Sequence, residues 1–196
     1  MSYCERVRII LQRLIGKYMN NILKQKVIAS LNKDAHSPGV HQGSRKLKHG
    51  LPLKKVVFFP SLKNGLLMPC ESKLEADHCL HLEFEDCIEK YRTQPLTFDI
   101  GERQSYTPDC VLRTHDGDLI CREVKVSEKL KTSKLEQRMG RIRLILSNAG
   151  IGFEIFTEKQ ICVYPDIFNK KLLYKAKRIR YSQFLIEQAE ALLSCQ

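Results

Sequence analysis

Tyr106-Thr107-Pro108-Asp109-Cys110-Val111-Leu112-Arg113-Thr114-His115-Asp116-Gly117-Asp118-Leu119-Ile120-Cys121-Arg122-Glu123-Val124-Lys125-Val126 is the run whose reading decides the fold. Residues 106–113 and 119–126 are strand-like, and the Asp116-Gly117 pair between them favours a tight turn, so the run predicts a β-hairpin. Side chains two apart in a strand share a face. Glu123 and Lys125 therefore point the same way, while Val124 points into the opposite layer. If Asp109 and Glu123 lie on adjacent strands, Asp109 reaches the same surface.

Two neighbouring carboxylates repel each other unless a cation sits between them. Asp109, Glu123 and the backbone carbonyl of Val124 offer hard oxygen donors, which suit Mg²⁺ completed by waters, with Mn²⁺ as a substitute. A divalent ion at a phosphodiester lowers the pKa of an attacking water and polarises a phosphoryl oxygen. Lys125 would hold or deprotonate that water and offset phosphate charge; beside two carboxylates it stays charged unless the cation competes. Glu75, on a preceding helix, is a further candidate, for a second ion or an outer water. The catalytic candidates are thus Glu75, Asp109, Glu123 and Lys125, and the metal candidates Asp109, Glu123, Val124 and Glu75.

Around the hairpin the periodicities predict a mixed α/β architecture. Residues 3–31 read as a helix, with Val7, Ile10, Leu11, Leu14, Ile15, Tyr18, Ile22 and Leu23 at helical spacing. Residues 32–50, with Ser37-Pro38-Gly39, Gly43-Ser44 and Gly50, have linker composition, which makes the first helix a movable module. Val56 to Phe59 read as a short strand and Lys63-Asn64-Gly65 as a turn. Residues 70–84 read as a helix with Glu71 as its capping acid. Residues 91–100 read as a strand broken by Gly101. A basic amphipathic helix spans 129–148 with Leu135, Met139, Ile142 and Leu146 inward, ended by Asn148-Ala149-Gly150. Residues 152–156 are a strand and 168–195 are helical. Phe58, Phe59 and Tyr91 read as core; His78 and His81 as packing or surface residues; His115 as an exposed turn residue. The implied division is a basic N-terminal helix (1–31), a linker (32–50), a core (51–165) and a basic C-terminal helical extension (166–196).

The net charge is +11, and it is concentrated at one end. Residues 1–63 hold thirteen Lys and Arg against Glu5 and Asp34, and the rest of the chain balances cation for acid. A basic arm on a neutral globule suits a polyanion, because each phosphate neutralised by Lys or Arg releases counterions. Arg45, Lys46, Lys48, Lys54 and Lys55 in this arm, and Lys175 and Arg178 in a second basic run, are the candidate DNA contacts. The same charges on a helix also serve solubility alone.

The eight cysteines are scattered, with no Cys-x-x-Cys pair. They read as reduced thiols packed in the fold and not as a zinc site or a disulfide frame. Arg13 interrupts the apolar run 9–15, so no membrane span and no export signal is predicted. The expected location is the cytoplasm.

Pro108-Asp109 followed by Glu123-Val124-Lys125 resembles the PD-(D/E)xK nuclease superfamily. The wider set resembles one branch of it: Glu71-Ser72-Lys73-Leu74-Glu75, Leu82-Glu83-Phe84-Glu85, Tyr91-Arg92-Thr93-Gln94-Pro95 and Tyr106-Thr107-Pro108-Asp109 are similar to the TnsA endonuclease subunit of heteromeric cut-and-paste transposases. The resemblance covers residues of about 56–160 and implies a restriction-endonuclease-like core. It implies that Glu75, Asp109 and Lys125 are the catalytic acids and lysine, that Glu123 stands where the family has Gln or Glu, and that Gln94 is a recurring neighbour of the site. It further implies Mg²⁺-dependent cleavage of double-stranded DNA at the 5′ ends of a transposon, beside a DDE transposase that acts on the 3′ ends, with an ATPase regulator in contact. Some members carry a C-terminal winged-helix domain; here about thirty residues follow the sheet, room for one or two helices.

Two other functions compete on the same residues. One is a stand-alone restriction or repair nuclease, and the other a non-catalytic DNA-binding assembly module. The bland alternatives are a solvated helix face for Glu71 and Glu75, and an exposed ion pair for Glu123 and Lys125 worth under ~1 kcal/mol. Val124, Val126, Ile120 and Cys121 argue instead for a buried strand, where idle charges would be costly.

Overall fold

A computed structural model describes residues 3–35, 39–41, 43–44, 56–179 and 183–193. The elements run α1 (Tyr3–Asn32), β1 (Val57–Ser61), β2 (Leu66–Cys70), α2 (Lys73–Phe84), β3 (Ile88–Thr93), β4 (Phe98–Gly101), β5 (Gln104–Tyr106), β6 (Cys110–Thr114) and β7 (Leu119–Val124). A 3₁₀ turn at Ser127–Lys131 follows, then α3 (Ser133–Asn148), β8 (Gly152–Phe156), α4 (Glu158–Ile161), α5 (Asp166–Lys177) and α6 (Gln183–Leu193).

The centre is a four-stranded mixed sheet in the order β3-β6-β7-β8. β6 pairs antiparallel with β3 and β7, and β8 runs parallel to β7. The mixed sheet with helices on its faces is consistent with a restriction-endonuclease-like fold. Two short hairpins, β1-β2 and β4-β5, flank it. The hairpin read from the sequence forms with Cys110 opposite Arg122 and Val111 opposite Cys121, and Gly117 takes φ 89° in the turn. At the parallel seam Gly152 faces Ile120, and a Cβ on Gly152 would meet Ile120 Cγ1 at 3.2 Å.

Alternation along β6 and β7 divides the core into two layers. On one face Val111, Leu119 and Cys121 pack with Leu23, Val27 and Leu31 of α1 and with Met139, Ile142 and Leu146 of α3. On the other, Cys110 and Leu112 pack with Tyr91 of β3, with Leu80 and Leu82 of α2, and with Tyr174 of α5.

Several expectations change. The second half of α1 is no movable module: Val27 and Leu31 are buried because they complete the apolar layer over β6. Within the linker-like stretch, the Leu67 N–H donates to Gly39 O and the His41 N–H to Leu67 O, while the His41 ring lies 2.8 Å from Thr93 O. These bonds satisfy backbone groups of β2 and of the last residue of β3. The strand read over 91–100 breaks at Gln94-Pro95, not at Gly101: Gln94 sits at φ 44°, and proline removes a donor. β2 went unread because Pro69 obscured its alternation. Ser72, not Glu71, caps α2, its hydroxyl accepting from Glu75 N. The helix read from 129 begins at Ser133, after the 3₁₀ turn, and the helix read over 168–195 is two helices. Phe58 is 45% exposed, since β1 turns that face outward, whereas Phe59 and Tyr91 are buried. His78 is buried and His115 exposed.

One buried carboxylate ties the smaller hairpin to the sheet. Glu83 accepts from Ser61 Oγ at 2.6 Å, from the Leu62 and Lys63 N–H groups at 3.1 Å each, and from Tyr91 Oη at 2.7 Å. Every bond crosses to a different element from α2, so Glu83 acts as a cross-brace. Removing it strands the buried Ser61 and Tyr91 hydroxyls and loosens the part-buried N–H groups of Leu62 and Lys63. We expect Glu83→Ala to cost about 3 kcal/mol or more, read as a lowered midpoint of thermal unfolding, and Tyr91→Phe about 1 kcal/mol. An unchanged midpoint for Glu83→Ala would show that the brace contributes nothing.

Candidate active site

Hairpin register places Asp109 just before β6, beside Glu123 near the end of β7. The two carboxylates are 8% and 5% exposed, on the face shared with Cys121 and covered by α1 and α3. Asp109 Oδ2 accepts the Val124 N–H at 2.9 Å. Glu123 Oε2 accepts the Tyr106 hydroxyl at 2.6 Å. Each acid is thus held by one fixed donor; Glu123 keeps Oε1 for the space between them, and Asp109 presents the same Oδ2 that accepts the Val124 N–H.

That space is taken by the Lys125 ammonium. Its Nζ lies 2.6 Å from Glu123 Oε1, 3.3 Å from Asp109 Oδ2 and 3.3 Å from Val124 O. Two carboxylate oxygens and a carbonyl around one positive centre form an all-oxygen donor set, the chemistry expected for a hard divalent cation. The ammonium stands in for such an ion, so these residues fit Mg²⁺ or Mn²⁺ once the lysine withdraws. Among the described residues no group of three or more His, Cys, Asp or Glu side chains converges into a ready-made cage. The carbonyl, two residues from Arg122 on the same strand, is what completes the set.

The electrostatics follow from burial. Loss of water, then the nearby Glu123 carboxylate, push the Asp109 carboxyl up to about 7 against the pull of Lys125. Burial alone would lower Lys125, but Asp109 and Glu123 outweigh it and hold the ammonium above its ordinary value. Burial and the Glu123 charge keep the Tyr106 hydroxyl protonated, so it serves as a donor only.

Glu75 sits apart from this cluster. Its carboxylate accepts from Glu71 N at 2.8 Å and from Ser72 Oγ at 2.9 Å, a reciprocal cap at the start of α2. Burial raises its pKa, and it acts on Asp109 and Lys125 through space and not through a shared hydrogen bond. Gln94 is buried with its N–H donating to Asp109 O at 3.0 Å, while Ser44 N donates to Gln94 O at 2.7 Å. Its strained φ therefore lies directly behind the first acid.

Tyr106 was quoted in the sequence without a role; the signal was its place at the mouth of the hairpin, one strand from Glu123. Among the DNA candidates, Lys175 and Arg178 are exposed near the end of α5, whose Tyr174 packs in the opposite layer from the acids. Arg45, Lys46, Lys48, Lys54 and Lys55 lie outside the described residues. Cys70, Cys79, Cys87, Cys110, Cys121 and Cys162 are free thiols, with Cys70 and Cys79 Sγ 3.8 Å apart; Cys87 and Cys162 are exposed because they fall in loops, contrary to the expectation of packed thiols. No described helix is long and apolar enough to cross a membrane.

No curated protein matches the chain. Residues 85–158 match the family model described as TnsA-like endonuclease N terminal. The match takes in the whole central sheet, the two acids and the lysine, and leaves Glu75 and α2 outside. The sheet and its buried acid–acid–lysine cluster thus fall within the segment that is similar to a TnsA-like endonuclease N-terminal domain.

Proposed function

We propose that this chain is the Mg²⁺-dependent nuclease subunit of a cut-and-paste transposase, hydrolysing phosphodiesters at the 5′ ends of a transposon beside a DDE transposase, with an ATPase regulator as a further partner. The observation that carries the metal-dependent hydrolysis is one ammonium held by Asp109, Glu123 and the Val124 carbonyl together. The division of labour at the ends and the two partners come from the family resemblance.

Asp109 and Glu123, with the Val124 carbonyl, would hold the ion; when bound it supplies an activated water and a polarised phosphoryl oxygen. Tyr106 keeps Glu123 Oε2 engaged and leaves Oε1 free for the site. Lys125, displaced from the carboxylates, is close enough to hold the attacking water and to offset charge gathering on the scissile phosphate. Glu75, which caps the start of α2 and is felt by Asp109 and Lys125 through its charge, would serve a second ion or an outer water. A stand-alone nuclease would use the same residues, and cutting without a partner transposase would identify it. A non-catalytic module has no use for a buried acid pair that costs stability unless a cation is held there.

The test is cleavage of transposon-end DNA with Mg²⁺ or Mn²⁺, with and without the partner transposase. Asp109→Ala should abolish cutting while DNA binding persists, and Lys125→Ala should lower the rate by ~10²–10⁴-fold. Undiminished cutting by Asp109→Ala ends the proposal.

Ion binding should also follow pH. Asp109 holds its proton up to about 7, and a divalent ion must displace it. Affinity for Mn²⁺, measured by calorimetry, should rise by up to ~tenfold per pH unit below that value and level off above it. A flat profile between pH 5 and 8 would show that Asp109 is not a ligand.

A further inference from the structure

We infer that the DNA strand leaves the catalytic centre along a phosphate-binding cleft between α3 and the β4-β5 hairpin, gripped by Lys134, Arg138 and Arg141. The inference rests on the endonuclease reading above and adds to it the surface that holds the substrate.

Lys134, Arg138 and Arg141 recur at helical spacing of four and three, so they form one stripe on α3. Met139, Ile142 and Leu146 of the same helix are buried, which turns the stripe away from the core. With Gln104, Ser105 and Gln137 it lines an open cleft of about 500 Å³. The Arg138 guanidinium donates to Ser105 O at 3.2 Å, and the next residue, Tyr106, holds Glu123. The cleft is therefore tied to the acid pair through two consecutive residues. Among the described residues, the acid paired with this stripe is Glu102, 3.0 Å from Arg141 and itself largely exposed. Lys134 and Arg138 pair with no acid among the described residues. A row of exposed cations with amide and hydroxyl donors alongside suits a sugar–phosphate backbone, which carries a regular series of anions and no base information.

Layering separates this stripe from the other basic face. Asp109 and Glu123 lie on the sheet face covered by α3, whereas α5, with Lys175 and Arg178, packs through Tyr174 against the opposite layer. A strand whose phosphate reaches Lys125 meets the α3 cleft first.

The probe is a fluorescent DNA duplex of arbitrary sequence, titrated against the full chain in EDTA at several salt concentrations. Lys134→Gln with Arg138→Gln should lower the salt slope by ~2 and the affinity near 0.1 M salt by ~10–100-fold. The pair Lys175→Gln with Arg178→Gln should change the slope by less than ~1, and Lys134→Arg with Arg138→Lys should restore it. Matching thermal midpoints for all variants exclude misfolding. Equal loss from both basic faces, no loss from the α3 pair, or no binding by the wild-type chain at low salt each overturns the cleft. Metal-dependent cleavage by the wild type tests the nuclease reading separately: a chain that cuts, but whose α3 variants bind and cut as before, retains its chemistry and loses this surface.

Discussion

Two carboxylates buried side by side demand positive charge, and much of this molecule is arranged around meeting that demand. Asp109 and Glu123 have lost most of their water, and their mutual repulsion raises the cost of ionising both. Lys125 answers it from two residues past Glu123, just beyond the end of β7. The answer is partial, since Asp109 still clings to its proton near neutrality. Under the proposed reading, a doubly charged ion would bring more charge than an ammonium and tolerate more oxygen neighbours.

The fold holds this pair still by means that do not involve the acids themselves. Arg113 and Glu89 form a two-pronged bridge across β3 and β6, with both contacts at 2.6 Å. On β7, Arg122 reaches Glu85 and Glu154 and lies 4.4 Å from the Phe156 ring centroid, joining α2, β7 and β8. Further along, Ser127 N and Oγ both donate to Glu158, so the chain leaving Lys125 is tied to the start of α4. Such surroundings limit the freedom of the reacting groups, which is what preorganisation requires.

The hairpin and its reactive face were legible because a period of two and an Asp-Gly turn are local signals, and the 109/123 pairing follows from them alone. The layer under α3 was equally readable from Met139, Ile142 and Leu146. What stayed hidden depended on individual contacts that periodicity does not carry. Glu75 reads equally as a ligand or a cap, and only the Ser72 hydroxyl and the Glu71 N–H, both within four residues, decide where its oxygens point. His41 looks like linker until Thr93 offers its carbonyl from across the chain. Gln94 shows no unusual residue type, yet its backbone adopts a conformation most side chains avoid, with the Ser44 N–H docked on its carbonyl. Tyr106 and Arg138 acquired meaning only when the hairpin and the helix were brought together.

The turn at His115 to Asp118 lies at the opposite end of the β6-β7 hairpin from the acids and is exposed; Thr114 N–H donates to Asp118 O, Gly117 N–H to Thr114 O, and His115 N–H to Cys87 O. The acid-bearing end and the turn end of one structural unit are therefore separated by the length of the ladder. Lengthening or grafting the tip leaves the pairing of Cys110 with Arg122 untouched, which makes it the natural attachment point for a label, a tether or an added recognition segment.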